Sequence, residues 1–235
     1  MKAFLLSAGL GTRMRPLTNY KPKCLLPICG EPLLYIWLNL LEREGVEEVL
    51  INIHLFPEKV EKALNDRKNK IKIKLFYEKE LLGSGGTILA NRKFVENEED
   101  FYILYSDNLT NISLKEILDF HKSVDSVFTT YVYETNVPEQ KGIFLADETG
   151  KVLDFEEKPL MPKSNIANAG LGVLNKRIFN YFCYEKFLDF GKNIMPEIIG
   201  KMYIKKSNYY IKDIGTLANY YASDEEWGKI KSKFM

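Results

Sequence analysis

Lys2-Ala3-Phe4-Leu5-Leu6-Ser7-Ala8-Gly9-Leu10-Gly11-Thr12-Arg13-Met14-Arg15-Pro16-Leu17-Thr18 is the stretch on which the fold turns. Its apolar start is too short for a helix and runs straight into glycines, which reads as a buried strand ending in a sharp turn. Glycines there bring backbone N–H groups against a phosphate or a base edge. The sixth position of the dinucleotide fingerprint is Met14 rather than a small residue, and no GxxxxGK[ST] occurs, so neither a Rossmann cofactor site nor a P-loop is supported. The sequel, Lys21-Pro22-Lys23-Cys24-Leu25-Leu26-Pro27, adds cations to a loop restrained by prolines, an arrangement suited to a polyphosphate. Arg15 and Lys21 read equally well as solvated surface charges.

Outward from this loop, short β-rich runs alternate with helix-patterned ones, the signature of βαβ units and a largely parallel sheet. Strands are predicted at Lys2–Ser7, Val49–Ile53, Ile71–Tyr77 and Phe101–Tyr105. A helix opens at Pro32 and stops at Gly45; it is apolar on most sides and therefore sandwiched. Ser113 with Glu116 forms a capping box for a helix ending near Lys122. Closely spaced strands at 126–133, 142–146, 152–156 and 167–174 then suggest an antiparallel addition. Helices at Lys176–Tyr184 and 193–199, a strand at 209–212 and a closing helix from Thr216 complete the reading. The expected fold class is α/β: a Rossmann-like, mixed, mainly parallel sheet flanked by helices, with an antiparallel addition, in one domain over residues 1–235.

The chain has 235 residues, 33 Lys+Arg against 32 Asp+Glu, and a net charge of +1. It lacks the long-range field of a dedicated binder of nucleic acid or acidic membranes, so an anionic ligand must rest on a few placed cations. The three cysteines form no CxxC pair, which points to a reducing cytoplasm. The N-terminal apolar run lacks a cleavage site, and the longest apolar stretch, Pro32–Leu41, is about half what a bilayer needs. A soluble cytoplasmic chain with no nucleic-acid or membrane partner is expected, and the triplets Asn108-Leu109-Thr110 and Asn111-Ile112-Ser113 are chance matches to a glycosylation signal.

Leu6 through Thr18 with Pro22-Lys23 closely resembles the signature of the sugar-1-phosphate nucleotidyltransferases, enzymes that join a nucleoside triphosphate to a sugar 1-phosphate and release pyrophosphate. The resemblance continues through Leu82-Gly83-Ser84-Gly85-Gly86, Ser106-Asp107, Glu156-Glu157-Lys158-Pro159, Asn168-Ala169-Gly170 and Asp213-Ile214-Gly215-Thr216. It implies a GT-A-like nucleotidyltransferase fold with a nucleotide-binding half over about 1–110 and a sugar-binding half over about 111–235. It also implies catalytic roles for Arg13, Lys23, Asp107 and Asp213, the two aspartates holding Mg²⁺. Nucleotide contacts are implied for Leu6, Ala8, Gly9, Gly11, Thr12, Glu78, Gly83, Ser84 and Ser106, and sugar-phosphate contacts for Gly142, Glu157, Lys158 and Asn168.

The residues agree with these roles. Asp107 and Asp213 each follow a predicted strand, where open α/β sheets place ligands, and Mg²⁺ takes one or two carboxylates plus phosphate oxygens. A phosphate monoester is already ionised near pH 7, so no general base is needed; His54 and His121 lie outside every motif. Glu78 and Glu80 resemble the segment of guanylyltransferases acting on mannose 1-phosphate or heptose 1-phosphate, and a carboxylate accepts from guanine N1–H and its amino group. Lys141 replaces the aromatic or Arg usual before the glycine of the sugar loop, which leaves the acceptor open. The alternatives are UTP, dTTP or CTP as donor, a non-sugar phosphate as acceptor, or a catalytically silent regulator. A monomer or homodimer is expected, without the C-terminal β-helix of longer relatives.

Overall fold

The N-terminal run is a buried strand, with Ala3, Phe4 and Leu5 fully inaccessible. The computed structural model describes residues 1–183 and 185–231. After β1 (Lys2–Leu6) come the short strands β2 (Pro27–Ile28) and β3 (Glu31–Pro32), then α1 (Leu33–Arg43), β4 (Glu48–Ile53), α2 (Pro57–Asp66), β5 (Lys72–Tyr77) and α3 (Gly83–Ala90). The chain continues through β6 (Asp100–Tyr105), β7 (Asn108–Thr110), α4 (Leu114–Ser123), β8 (Phe128–Glu134), β9 (Gly142–Ala146), β10 (Val152–Glu157), β11 (Ile166–Asn175), β12 (Met202–Lys206), β13 (Ile211–Asp213) and α5 (Leu217–Ile230). This is the α/β class read from the sequence, a mixed sheet flanked by helices.

Contacts divide the chain into two compact units. One comprises Met1–Phe4, Leu81–Leu104 and Ser113–Asn208; the other comprises Leu5–Glu80, Tyr105–Ile112 and the chain from Tyr209 onward.

In the first unit β10, β9, β11 and β6 are successive neighbours, and β11 is antiparallel to β6, β8 and β9. β12, absent from the predicted strands, pairs in parallel with β8. Only Met202 and Ile204 of its five residues are buried, too short an alternation to read in advance. Phe4 packs edge-on against Phe94 and Phe101, and Phe101 stacks on the half-buried Phe179. The Ser113 half of the predicted capping box is present, its Oγ accepting from Glu116 N–H at 3.2 Å. Two predicted helices form without regular α-helix, as a 3-10 helix at Lys176–Tyr181 and as a π-helical turn running into a 3-10 turn across Phe190–Ile198. Asn175 and Asp189 side chains accept the N–H groups of Arg177 and Lys192, and Pro196 has no N–H to give, so regular α-helix does not propagate. The predicted end at Tyr184 lies outside the described residues.

In the second unit the end of β1 is followed by β4 and β5, the last two parallel and in register from Glu48↔Lys72 to Ile53↔Tyr77. α1 buries Leu33, Leu34, Trp37, Leu38 and Leu41 and gives way to Gly45 at φ 74, the stop expected of it. β7 and β13 form an antiparallel ribbon that pairs Asp213 with Asn108. α5 is capped by Thr216, whose Oγ1 accepts from Asn219 N–H at 3.2 Å. The β2–β3 hairpin grips this helix: Tyr220 Oη donates to Pro27 C=O at 2.6 Å, and Cys29 N–H donates to Asp224 Oδ1 at 2.6 Å. No helix among the described residues is long and apolar enough to cross a membrane.

Candidate active site

The second unit gathers the four residues for which the resemblance implies catalysis. Lys23 begins a single tight turn after Pro22, closed by Leu25 N–H to Pro22 C=O and Leu26 N–H to Lys23 C=O. Its side chain, 11% exposed, lies along the protein and brings Nζ to 2.8 Å from Asp107 Oδ2. Asp107 is aimed by its neighbour Ser106, which donates its N–H to Leu6 C=O at 3.0 Å and accepts Trp37 Nε1–H at 3.1 Å. Ile214 N–H donates to Asp107 C=O at 3.0 Å, so Asp107 and Asp213 ride on adjoining ends of one ribbon. Arg13 arrives beside Asp213 over Gly215, where a Cβ would stand 2.6 Å from Asp213 Oδ1 and 3.0 Å from Arg13 Nη2. Glycine at 215 is what allows the guanidinium and the carboxylate this approach.

Two carboxylates with hard oxygen donors are the share a protein usually gives to Mg²⁺, with phosphate oxygens and water completing the shell. Among the described residues no group of three or more His, Cys, Asp or Glu side chains is arranged for a metal. The donor set therefore fits a cation that a phosphate ligand helps to hold.

The glycine loop turns as the sequence requires. Gly11 adopts φ 63 and its C=O accepts both Thr18 Oγ1 at 2.7 Å and Met14 N–H at 2.9 Å. Met14 is 1% exposed, a core plug, which explains a large residue where the dinucleotide fingerprint has a small one. Leu6 and Ala8 are buried, whereas Gly9 and Thr12 face solvent. Glu78, expected at a base edge, is 2% exposed; its Oε1 accepts from Asn52 Nδ2 at 2.8 Å.

The first unit holds the remaining predicted residues. Gly83 and Ser84 begin α3. Gly83 sits at φ 77, Leu188 C=O accepts Gly85 N–H at 2.9 Å and Gly86 N–H at 3.1 Å, and Ser84 Oγ accepts Phe190 N–H at 2.8 Å. Glu157 ends β10 against two glycines: a Cβ on Gly142 would meet its Oε2 at 2.7 Å, and one on Gly191 at 3.2 Å. Burial pushes the Glu157 carboxyl above its ordinary value, Lys158 pulls it back and Asp189 adds to the rise. Lys158 takes φ 55, its N–H donating to Lys141 C=O at 2.8 Å and its Nζ standing 3.7 Å from Glu157 Oε1. Asn168 Oδ1 accepts from Thr130 Oγ1 and from Gly170 N–H, each at 3.0 Å.

Asn52, Thr130 and Asp189 are absent from the residues picked out by sequence. Asn52 carried a usable signal, a lone amide inside the apolar strand Val49-Leu50-Ile51-Asn52-Ile53; Thr130 and Asp189 carried none.

A family model described as nucleotidyl transferase matches residues 2–229. The chain is 36% identical to mannose-1-phosphate guanylyltransferase 1 of Arabidopsis thaliana over 77% of its length and 51% of the plant protein. It is 32% identical to D-glycero-alpha-D-manno-heptose 1-phosphate guanylyltransferase of Campylobacter jejuni, covering 94% of this chain and 97% of that one. The crystal structure of HddC from Yersinia pseudotuberculosis superposes with a TM-score of 0.82 at 25% identity, over 96% of this chain and 99% of that one. Several curated relatives are longer, the chain spanning 57%, 51% and 61% of three of them.

Proposed function

Because the chain belongs to the nucleotidyl transferase family, we propose that it transfers a nucleotidyl group from a nucleoside triphosphate to a sugar 1-phosphate. A phosphate oxygen of the sugar 1-phosphate attacks the α-phosphorus, the bond to the bridging oxygen of the β-phosphate breaks, and pyrophosphate leaves. The observation that carries this reading is the grouping of Arg13, Lys23, Asp107 and Asp213, in which Lys23 Nζ stands 2.8 Å from Asp107 Oδ2 and Arg13 adjoins Asp213 over Gly215. Two carboxylates and two cations, not a nucleophile with a base, are what a reaction between two anions needs.

Lys23 neutralises the phosphate under attack, and Arg13 takes charge that develops on the pyrophosphate side. Asp107 and Asp213 would hold Mg²⁺, which supplies charge neutralisation and phosphate orientation when bound. Glu157 accepts from sugar hydroxyls, Asn168, whose Oδ1 is already taken by Thr130 and Gly170, offers its Nδ2 as a donor to the sugar, and Lys158 pairs with the sugar phosphate. No side chain has to move a proton.

GTP with mannose or heptose 1-phosphate is the preferred pairing, supported by the names of the plant and Campylobacter relatives. The test is pyrophosphate release by the purified protein across ATP, GTP, CTP, UTP and dTTP crossed with a panel of sugar 1-phosphates and Mg²⁺. GTP with a manno-configured acceptor is expected to be the most active pair. Silence across the whole matrix would overturn the reading.

A further inference from the structure

Within the second unit, a line of hydrogen bonds crosses three strand ends. Glu78 follows β5, Asn52 lies in β4 and Ser7 follows β1. Asn52 Nδ2 donates to Glu78 Oε1 at 2.8 Å, and Asn52 Oδ1 accepts the backbone N–H of Ser7 at 2.7 Å. The far end is anchored as well, Glu78 N–H donating to Ile53 C=O at 2.9 Å and its own C=O lying 2.7 Å from His54 Nδ1. Glu78 is 2% exposed and Asn52 4%.

A buried carboxylate is a costly partner for a buried amide, and apolar residues at 52 and 78 would pack the strand ends without it. What the carboxylate supplies is direction. It fixes which end of the Asn52 amide donates, and so turns the oxygen toward Ser7. Ser7 is the last residue before Ala8 and the glycine loop, so its N–H sets the angle at which that loop leaves the sheet.

We propose that Glu78 and Asn52 are positioning residues for the nucleotide-binding glycine loop, acting through Ser7 N–H, and that the Glu78 carboxylate does not read the base. The inference rests on the nucleotide reading of that loop and deepens it.

The test exploits the polarity of the relay. Asn52→Asp sets two buried carboxylates against each other and is expected to raise the KM for every triphosphate about tenfold, with little change for the sugar phosphate. Adding Glu78→Gln reverses the relay: the new amide donates to the carboxylate at 52, which still accepts Ser7 N–H. N52D/E78Q is expected to recover to within about threefold of the parent for all triphosphates, and E78Q alone to leave the GTP:UTP ratio of kcat/KM unchanged. A double variant no better than N52D, or a changed GTP:UTP ratio in E78Q, overturns the proposal.

A readout independent of turnover separates this from the proposed reaction and serves if N52D does not fold. In Asn52→Ala, hydrogen exchange at the Ser7 amide is expected to quicken by about tenfold or more while Phe4 and Leu5 stay protected. Unchanged exchange at Ser7 overturns the relay even if the protein is fully active. Inactivity of the parent chain on every substrate pair overturns the reaction while leaving the exchange result to stand.

Discussion

Lys23 Nζ lies 2.8 Å from Asp107 Oδ2, joining residues 84 positions apart in the chain. The lysine side chain is 11% exposed and the carboxylate 39%, so the cation is laid down along the protein with its partner open to solvent. An ion pair built for stability alone gains little from that half-open arrangement. One built to meet phosphate gains a pre-placed cation beside the carboxylate proposed to hold Mg²⁺. Asp107→Ala and Asp213→Ala are each expected to lower pyrophosphate release to under about a tenth of the parent while circular dichroism is unchanged, since losing a metal ligand costs orders of magnitude. Retention of more activity in either variant removes that aspartate from the metal site.

The two glycine segments are expected to respond to alanine in opposite ways. At Gly83 a Cβ would stand 2.3 Å from Leu188 O, with φ at +77, so Gly83→Ala should destabilise by about 2 kcal/mol or more. At Gly9 a Cβ meets nothing within 4 Å, and Gly9→Ala should change stability by no more than about 0.5 kcal/mol. Thermal midpoints of the pair decide it.

In the proposed reaction Glu157 is expected to give acceptor binding a pH dependence. Burial holds its carboxyl above the ordinary 4.5. A group that must be ionised to accept from sugar hydroxyls then begins to fail at a higher pH than an exposed glutamate. The KM for the sugar 1-phosphate is expected to rise on acidification from above that ordinary value, with the KM for the triphosphate unaffected. Glu157→Gln should remove the part of the rise that the acceptor phosphate's own ionisation, at about pH 6, does not account for, and a profile unchanged from the parent would place the titrating group elsewhere.

Asp100 shapes acid stability. Burial raises its carboxyl, but hydrogen bonds from His121 and Asn175 outweigh that and hold it below the ordinary 3.8. With the folded value depressed, the stabilisation is full above the unfolded value and fades as pH falls through the folded one. Urea titrations should show Asp100→Asn less stable than the parent at neutral pH, with the gap closing below the ordinary carboxylate range. A gap that stays constant with pH would mean that the charge of Asp100 contributes nothing.

The cysteines should separate cleanly under native alkylation. Cys24 is fully buried and its thiol is pushed up to about 12 by desolvation, whereas Cys183 is exposed. Iodoacetamide followed by peptide mass spectrometry is expected to label Cys183 and to spare Cys24 until denaturant is added.

What was legible in advance was local. β1 before the glycines, α1 from Pro32 to Gly45 and the Ser113 cap of α4 all depend on neighbours within a few residues, and each formed as read. The Lys23–Asp107 pair was not legible, because a separation of 84 positions says nothing about which cation faces which carboxylate. Gly83-Ser84-Gly85-Gly86 reads as loop on propensity, and it is helical because Leu188 C=O gathers two of its N–H groups. Glu78 follows Lys72-Ile73-Lys74-Leu75-Phe76-Tyr77, a half-exposed strand whose pattern predicts a solvent-facing acid. Its burial is a tertiary event, and the amide of Asn52 inside an apolar strand was the one mark it left in the sequence.

The hairpin's grip on α5 has a consequence for how the protein is made. Tyr220 reaches back 193 residues to Pro27 and Asp224 reaches back 195 to Cys29, and the unit containing Lys23 is assembled from three separate stretches of chain. During synthesis, the apolar faces of α1 and β4 leave the ribosome long before the segment that completes their unit. Contacts of such long range close slowly, and until they do those apolar faces stay open to other chains.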